Sequence, residues 1–506
     1  MKKLLFVIFA VAVFVDTVVS GLFSWFLVSF GVSFREIIYT VKSPLKGANN
    51  DFFLGALRFV GPMFALFIVL LVVCGLLYFG LRRYLSLDIV VGKKEKRIDG
   101  ISLLSAVVFV GAVAYSIFIL RSIDTRLEIS RFISDYNSRT ELYEDYYVKP
   151  DETKIESDKK KNLIYIYMES METTYASRDV GGEQPEENYI PNLTKIAEEN
   201  ISFSDEDGLG GFISAKNTDW TMSAIWATQT GAAFEFPIGG NEDFGNQEHF
   251  AKNTMTLGDI LKDKGYHQEF LCGSDSTFGG RRAFFEQHGD FRIYDLYTAE
   301  EEGYLTPEEE VNWGIEDWRL YEIAKDELTR MAADEEPFNF TMLTVDTHHY
   351  DGWICPLCED TYPDQLANVL ICADKQIKGF LDWCSQQPWY DDTVIVIQGD
   401  HPRMDQALVT DVRDRMVYNC FINTGYDKGT LNIKNRQFNT MDMFPSVLAA
   451  MGYSIPDDRL GLGTNMFSGK ETLCEQLGSD YIDAEVQKYS QFYADNFYDY
   501  KAENSY

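Results

Sequence analysis

Three uninterrupted apolar stretches lie within the first 121 residues of this 506-residue chain: 4–34, where Asp16 is the single charge, and 59–81 and 101–120, which carry none. Crossing a bilayer takes roughly 20 apolar residues. A cleaved secretory signal would explain Lys2 and Lys3 ahead of the first stretch, but leaves the other two without a purpose. The sequence therefore predicts three transmembrane helices. Basic loops resist translocation, so Lys2-Lys3 and the loop bearing Arg82, Arg83, Lys93, Lys94, Lys96 and Arg97 belong inside. Everything after Arg121 is expected outside, in a multi-pass protein of the cell membrane with an extracytoplasmic catalytic domain.

Charge follows the same division. Residues 1–121 hold 13 Lys/Arg against 6 Asp/Glu, a net of +7, and the remainder holds 32 against 72, a net of −40. A surface that acidic excludes nucleic acid as a partner. The organisation expected is a membrane domain over 1–121, a connector over 122–160, a catalytic domain over 161–475 and an acidic, aromatic tail over 476–506, exposed or partly ordered. Seven of the eight cysteines fall outside, an odd number. A zinc reading of Cys355-x-x-Cys358 wants a second close pair, which Cys372 and Cys384 are too far apart to supply. A local disulfide between Cys358 and Cys372 is the preferred reading.

At Asn162 the pattern changes. Residues 163–168 form a near-continuous apolar run, the mark of a strand buried on both faces, and similar runs recur at 340–345 and 393–397, with a weaker one at 267–272. Amphipathic stretches at 192–199, 257–264, 318–331 and 366–385 alternate with them. That alternation predicts an α/β domain with a doubly wound, mostly parallel sheet.

In such sheets ligands bind beyond the carboxyl ends of the strands, so the polar residues closing each run carry the chemistry. They are Glu169-Ser170, Asp346-Thr347-His348-His349 and Asp400-His401. Carboxylate oxygen and imidazole nitrogen converging from separate strands suit a divalent cation. His348 or His349 could bind a phosphate or protonate a leaving oxygen. Between these ends, residues 215–224 read as a loop entering a helix, with Thr218 or Thr221 near its positive end, where an alkoxide-like nucleophile is favoured. Arg281 and Arg282, after a Gly-Gly turn, suggest an anion clamp.

The segment Asn162 to Glu172, Pro191-Asn192-Leu193, Thr344 to His349 and Gly399-Asp400-His401-Pro402 together resemble membrane phosphoglycerol transferases and lipoteichoic acid synthases. Asp442 to Leu448 through Gly461-Leu462-Gly463 resembles the closing segment of sulfatase-fold enzymes. The resemblance implies a sulfatase-like (alkaline phosphatase-like) fold over roughly 160–470. It implies that Glu169, Asp400, His401 and a threonine ligate one divalent metal ion, Mn²⁺ first, with Mg²⁺ or Zn²⁺ also possible. It further implies that His348 and Arg281 contact the substrate, with Arg282 and His349 beside them. Alignment with lipoteichoic acid synthases selects Thr218 as nucleophile; counting back from Thr230-Gly231 selects Thr221, the second choice. The implied reaction moves phosphoglycerol from phosphatidylglycerol, through a phosphothreonine, to an envelope glycan or polyglycerolphosphate acceptor.

Arylsulfatase activity would need a Cys or Ser in a Cys/Ser-x-Pro-x-Arg context, which no cysteine here has. The competing readings are a phosphoethanolamine transferase of the same fold and a non-catalytic envelope sensor or scaffold.

Overall fold

A computed structural model of the chain describes residues 11, 13–24, 34–42, 61–69, 72–73, 76, 86–91, 94–236, 250–311, 313–334, 336–348, 351–409 and 415–498. It divides into two units, Met1–Phe34 with Asn49–Ile133, and Arg35–Ala48 with Ser134–Tyr506. In the first unit, strands Ser86–Val91 and Lys94–Asp99 pair antiparallel and lead into a 28-residue helix, Gly100–Leu127. The predicted spans 4–34 and 59–81 are described only in part. The third lies within Gly100–Leu127, whose Val107, Phe109, Val110, Ile117, Phe118 and Leu120 are exposed. Among the described residues no helix is long and apolar enough to cross a membrane.

The second unit is built on the strand Asn162–Met168 (β1). Leu163, Tyr165 and Tyr167 enter one hydrophobic core and Ile164, Ile166 and Met168 the other, so alternate side chains bury opposite faces of the sheet. Each such aliphatic side chain contributes about 1.5–3 kcal/mol by leaving water. The two tyrosines keep their polar tips satisfied, Tyr165 donating to Gln398 Oε1 at 2.6 Å and Tyr167 lying 2.7 Å from Thr228 Oγ1.

Five further strands complete the sheet: His267–Cys272 (β2), Arg292–Tyr294 (β3), Phe338–Leu343 (β4), Thr393–Gly399 (β5) and Asn419–Ile422 (β6). The order is β6-β5-β1-β4-β2-β3, parallel throughout except for β6, which runs antiparallel to β5 at one edge. The amphipathic stretches become helices Pro191–Glu199 (α1), Leu257–Asp263 (α3), Asp317–Met331 (α5) and Gln365–Cys384 (α6), the loop at 215–220 leads into Thr221–Thr230 (α2), and Arg281–Gln287 (α4) follows β2. All four predicted runs are strands, as the sulfatase-like α/β reading requires.

Two regions depart from expectation. The tail turns inward at Gln491–Tyr493 and Ala494–Tyr498: Tyr493 and Phe497 are buried, stack at 4.0 Å, and reach Tyr143 and Trp226. Its aromatic rings fill the core, a use its acidic composition concealed. The disulfide expected between Cys358 and Cys372 is absent; both thiols are free, as are the other five described cysteines.

Tyr39 is the second surprise of packing. It lies on helix Phe34–Lys42 yet is buried among Trp220, Phe234 and Phe236, and its hydroxyl donates to Gly279 O at 2.5 Å.

Candidate active site

The ends of β1 and β5 lie side by side, and short-range bonding fixes the path of the chain beyond each strand. After β1, Ser170 adopts φ 53°, a left-handed turn that costs a non-glycine residue energy and is held by its partners. Its N–H donates to Asp400 Oδ1 at 2.7 Å and its hydroxyl to Glu169 Oε1 at 2.7 Å. Thr344 accepts the Glu169 N–H at 3.1 Å, and Thr347 donates to the Glu169 carbonyl at 2.5 Å. After β5, Gly399 passes so close to Met171 that a Cβ would stand 1.9 Å from its carbonyl oxygen, so only glycine lets the chain deliver Asp400 and His401 there.

His401 stands 2.8 Å from Pro402 O through Nδ1, which therefore carries the proton, and Nε2 faces the carboxylates. Nε2 lies 3.3 Å from Asp400 Oδ2 and 3.7 Å from Glu169 Oε1. All three residues are buried. Burial and the neighbouring Glu169 push the Asp400 carboxyl up to about 7. Burial opposes a charge on His401, but Asp400 and Glu169 outweigh it, with Glu36 adding to them, and raise it to about 9. Burial likewise works against Glu169, yet His348 and His401 hold it below its usual range.

This arrangement fits a cation. One ligand atom from each of Glu169, Asp400 and His401 lies within 4.8 Å of the others, and Asp400 Oδ2 is buried with no hydrogen-bond partner among the described residues. Two carboxylate oxygens and a neutral imidazole nitrogen form a donor set that takes Mn²⁺ or Zn²⁺.

The two candidate threonines separate clearly. Thr221 is the first residue of α2, and its Oγ1 lies 3.4 Å from Glu169 Oε2 and 3.3 Å from His401 Nε2. The helix start is secured by Ser223, whose hydroxyl accepts the Trp220 N–H at 3.1 Å. Thr218 is fully buried one turn earlier, donating to Ala215 O at 2.8 Å and lying 2.8 Å from Thr440 Oγ1. Asn217, at φ 63°, turns the chain there and points Thr218 into the fold. The geometry thus places Thr221, and not Thr218, with Glu169 and His401.

The arginines also differ from each other. Arg281 bonds Phe278 O, Ser274 Oγ and Asp275 O through Nε and Nη2, which leaves Nη1 unbonded among the described residues. Arg282 is committed to Asp295 at 2.8 Å, Glu286 at 3.1 Å and Ser276 at 3.0 Å, an internal ion pair in place of the expected anion clamp. The Gly279 turn just before them lies against Met222, the neighbour of Thr221. His348 stands edge-on to Trp313 at 4.7 Å, and Trp313 contacts Phe278 at 5.5 Å, so His348 and the arginine loop share one aromatic bridge. His349 lies outside the described residues.

Several supporting groups escaped the reading of strand ends. Arg403, fully buried, donates to Thr347 O at 2.7 Å and to Asp405 at 2.8 Å, and Arg415 pairs with the buried Glu172, its Nε 2.7 Å from Oε2. The available signal was the position of Arg403 two residues past His401, and of Glu172 three past Glu169.

Residues 161–453 match the sulfatase family. The chain belongs to that family. The sulfatase domain so defined contains Glu169, Thr221, Arg281, His348, Asp400 and His401. Phosphoglycerol transferase I of Salmonella choleraesuis (strain SC-B67) is 30% identical over 446 residues, 86% of this chain and 53% of that protein. Phosphoglycerol transferase I of Escherichia coli (strain 55989 / EAEC) is 32% identical over 336 residues, 64% of this chain and 41% of that protein. The chain spans about half the length of the curated relatives it matches. Among solved structures, lipoteichoic acid synthase LtaP from Listeria monocytogenes is similar with 18% identity and a TM-score of 0.46, covering 65% of this chain and 80% of that one.

Proposed function

We propose that this sulfatase-family chain is a phosphoglycerol transferase. Anchored in the cell membrane by its amino-terminal helices, it takes phosphoglycerol from phosphatidylglycerol and passes it to an envelope glycan or polyglycerolphosphate acceptor. The observation that carries the reading is the Thr221 hydroxyl at the start of α2, 3.4 Å from Glu169 and 3.3 Å from His401. The relatives named phosphoglycerol transferase I support the choice of head group.

Glu169, Asp400 and His401 would hold one divalent ion, Mn²⁺ in this proposal, which supplies Lewis-acid chemistry by screening phosphate charge and easing ionisation of a hydroxyl. Thr221 Oγ1 gives its proton to solvent and attacks phosphorus, while the bond from phosphorus to the diacylglycerol oxygen breaks. His348 hands a proton to that leaving oxygen. Arg281, through Nη1, steadies the phosphate oxygens. In the second step an acceptor hydroxyl gives its proton to His348 and attacks the phosphothreonine, and Thr221 leaves and regains its proton from solvent. The helix start helps in both steps, because the free N–H groups of α2 favour negative charge on the transferred group.

Intact-mass analysis of the full chain after incubation with Mn²⁺ and phosphatidylglycerol tests this. A phosphoglycerol increment mapped to Thr221 is the expected result. An increment formed from phosphatidylethanolamine instead would transfer the assignment to phosphoethanolamine, and no increment with either lipid would leave a sensor or scaffold.

A further inference from the structure

Three cysteines that take no part in the proposed phosphoryl transfer come together beside α6. Cys355 and Cys358 lie in the loop between β4 and α6, and Cys372 lies on α6. Cys355 Sγ is 3.6 Å from Cys358 Sγ and 3.6 Å from Cys372 Sγ, and one ligand atom from each lies within 4.8 Å of the others. The sequence Cys355-Pro356-Leu357-Cys358 closes a tight turn, with Pro356 fixing φ and the Cys358 N–H donating to Cys355 O at 3.0 Å. One helical turn beyond Cys372, the Gln376 amide nitrogen lies 3.2 Å from Cys372 Sγ and 3.7 Å from Cys355 Sγ. The Gln376 Oε1 atom is buried without a hydrogen-bond partner.

We propose that Cys355, Cys358 and Cys372 form a zinc site. Zinc–thiolate bonds of about 2.3 Å in a tetrahedron set the sulfurs about 3.8 Å apart, close to the spacing found. A disulfide needs its sulfurs at about 2.05 Å and would use two of the three, although Cys355 is equally near both partners. Each thiol gives its proton to solvent as it binds. The fourth position suits Gln376: turning its amide end for end exchanges nitrogen and oxygen, and points the orphaned Oε1 at the sulfurs. The site ties the segment after His348 to α6, while the candidate active site would hold its own ion on oxygen and nitrogen alone. Sequence spacing hid it, because the third sulfur comes from a single cysteine rather than a second close pair.

Cobalt substitution of the purified full chain distinguishes the two sites, since only thiolates give an intense near-ultraviolet sulfur-to-cobalt charge-transfer band. The expected result is that band, abolished by excess Zn²⁺, retained in Asp400→Asn and Cys384→Ser, and lost in Cys355→Ser and Cys372→Ser. If the serine variants do not fold, the wild-type spectrum decides alone. Absence of the band in the reduced wild-type chain overturns the proposal. So does a purified chain two hydrogens lighter whose peptide map joins two of the three cysteines, which would make the cluster a disulfide staple.

Discussion

Thr221 Oγ1 stands 3.3 Å from His401 Nε2, whereas the hydroxyl of Thr218, three residues earlier, bonds instead to Ala215 O and Thr440. Thr221→Ala is expected to abolish formation of the phosphothreonine and to lower turnover by roughly 10⁴-fold or more, as loss of a nucleophile does. Thr218→Val should keep turnover within about tenfold and lose roughly 1–3 kcal/mol of stability, because Thr440 loses its hydroxyl partner. Diacylglycerol release and thermal unfolding of both variants check this pair; full activity in Thr221→Ala would overturn the assignment.

Asp400 and Glu169 repel each other in the absence of a cation, and that repulsion, added to burial, pushes Asp400 upward. Asp400→Asn should therefore leave the metal-free chain as stable as the wild type or more so, while weakening Mn²⁺ binding by more than roughly 100-fold. Titration calorimetry and thermal unfolding with and without Mn²⁺ measure the two effects separately.

Arg281 and Arg282 are adjacent in sequence and opposite in role. Arg281→Ala should raise KM by roughly tenfold, as expected for loss of a phosphate contact. Arg282→Ala should leave KM unchanged and cost roughly 1–3 kcal/mol, because Asp295 stays buried without its partner. Steady-state kinetics beside denaturant unfolding tell them apart.

Asp442 offers a pH test away from the candidate catalytic residues. Burial raises its carboxyl to about 7, although it accepts N–H bonds from Asn439 and Thr464. The folded state thus keeps a proton that the unfolded chain releases near pH 4. Its stability contribution is full below about pH 4 and is lost as pH rises to about 7, at about 1.4 kcal/mol per pH unit. Asp442→Asn should flatten that part of the curve of unfolding free energy against pH.

The sheet was readable because its strands are buried on both faces, so Leu163 to Met168 and Thr393 to Ile397 announce themselves without any partner in view. Glu169, Asp400 and His401 were readable for a related reason: polar residues that end such runs have one place to go. Choosing between Thr218 and Thr221 was beyond the sequence, since both lie at the entry to the same helix and only the folded chain brings one hydroxyl to Glu169 and turns the other to Ala215 O. The Arg282 to Asp295 pair joins residues brought together by folding. The cysteine cluster depended on where α6 begins, which carries Cys372 to a turn 14 residues upstream of it in the chain.

The burial of Tyr39 bears on how this protein can be handled and cut. Its ring fills a slot among Trp220, Phe234 and Phe236, yet the segment that carries it, Arg35–Ala48, is joined to the rest of its unit only through residues 49–133. The second unit is therefore discontinuous in sequence, closed by a short piece supplied from far upstream. A gene truncated to begin at residue 134 would encode a body that lacks this aromatic plug beside the helix that carries Thr221. Such a fragment should consequently be less stable and less active than the intact chain, as thermal unfolding and turnover measured side by side would show.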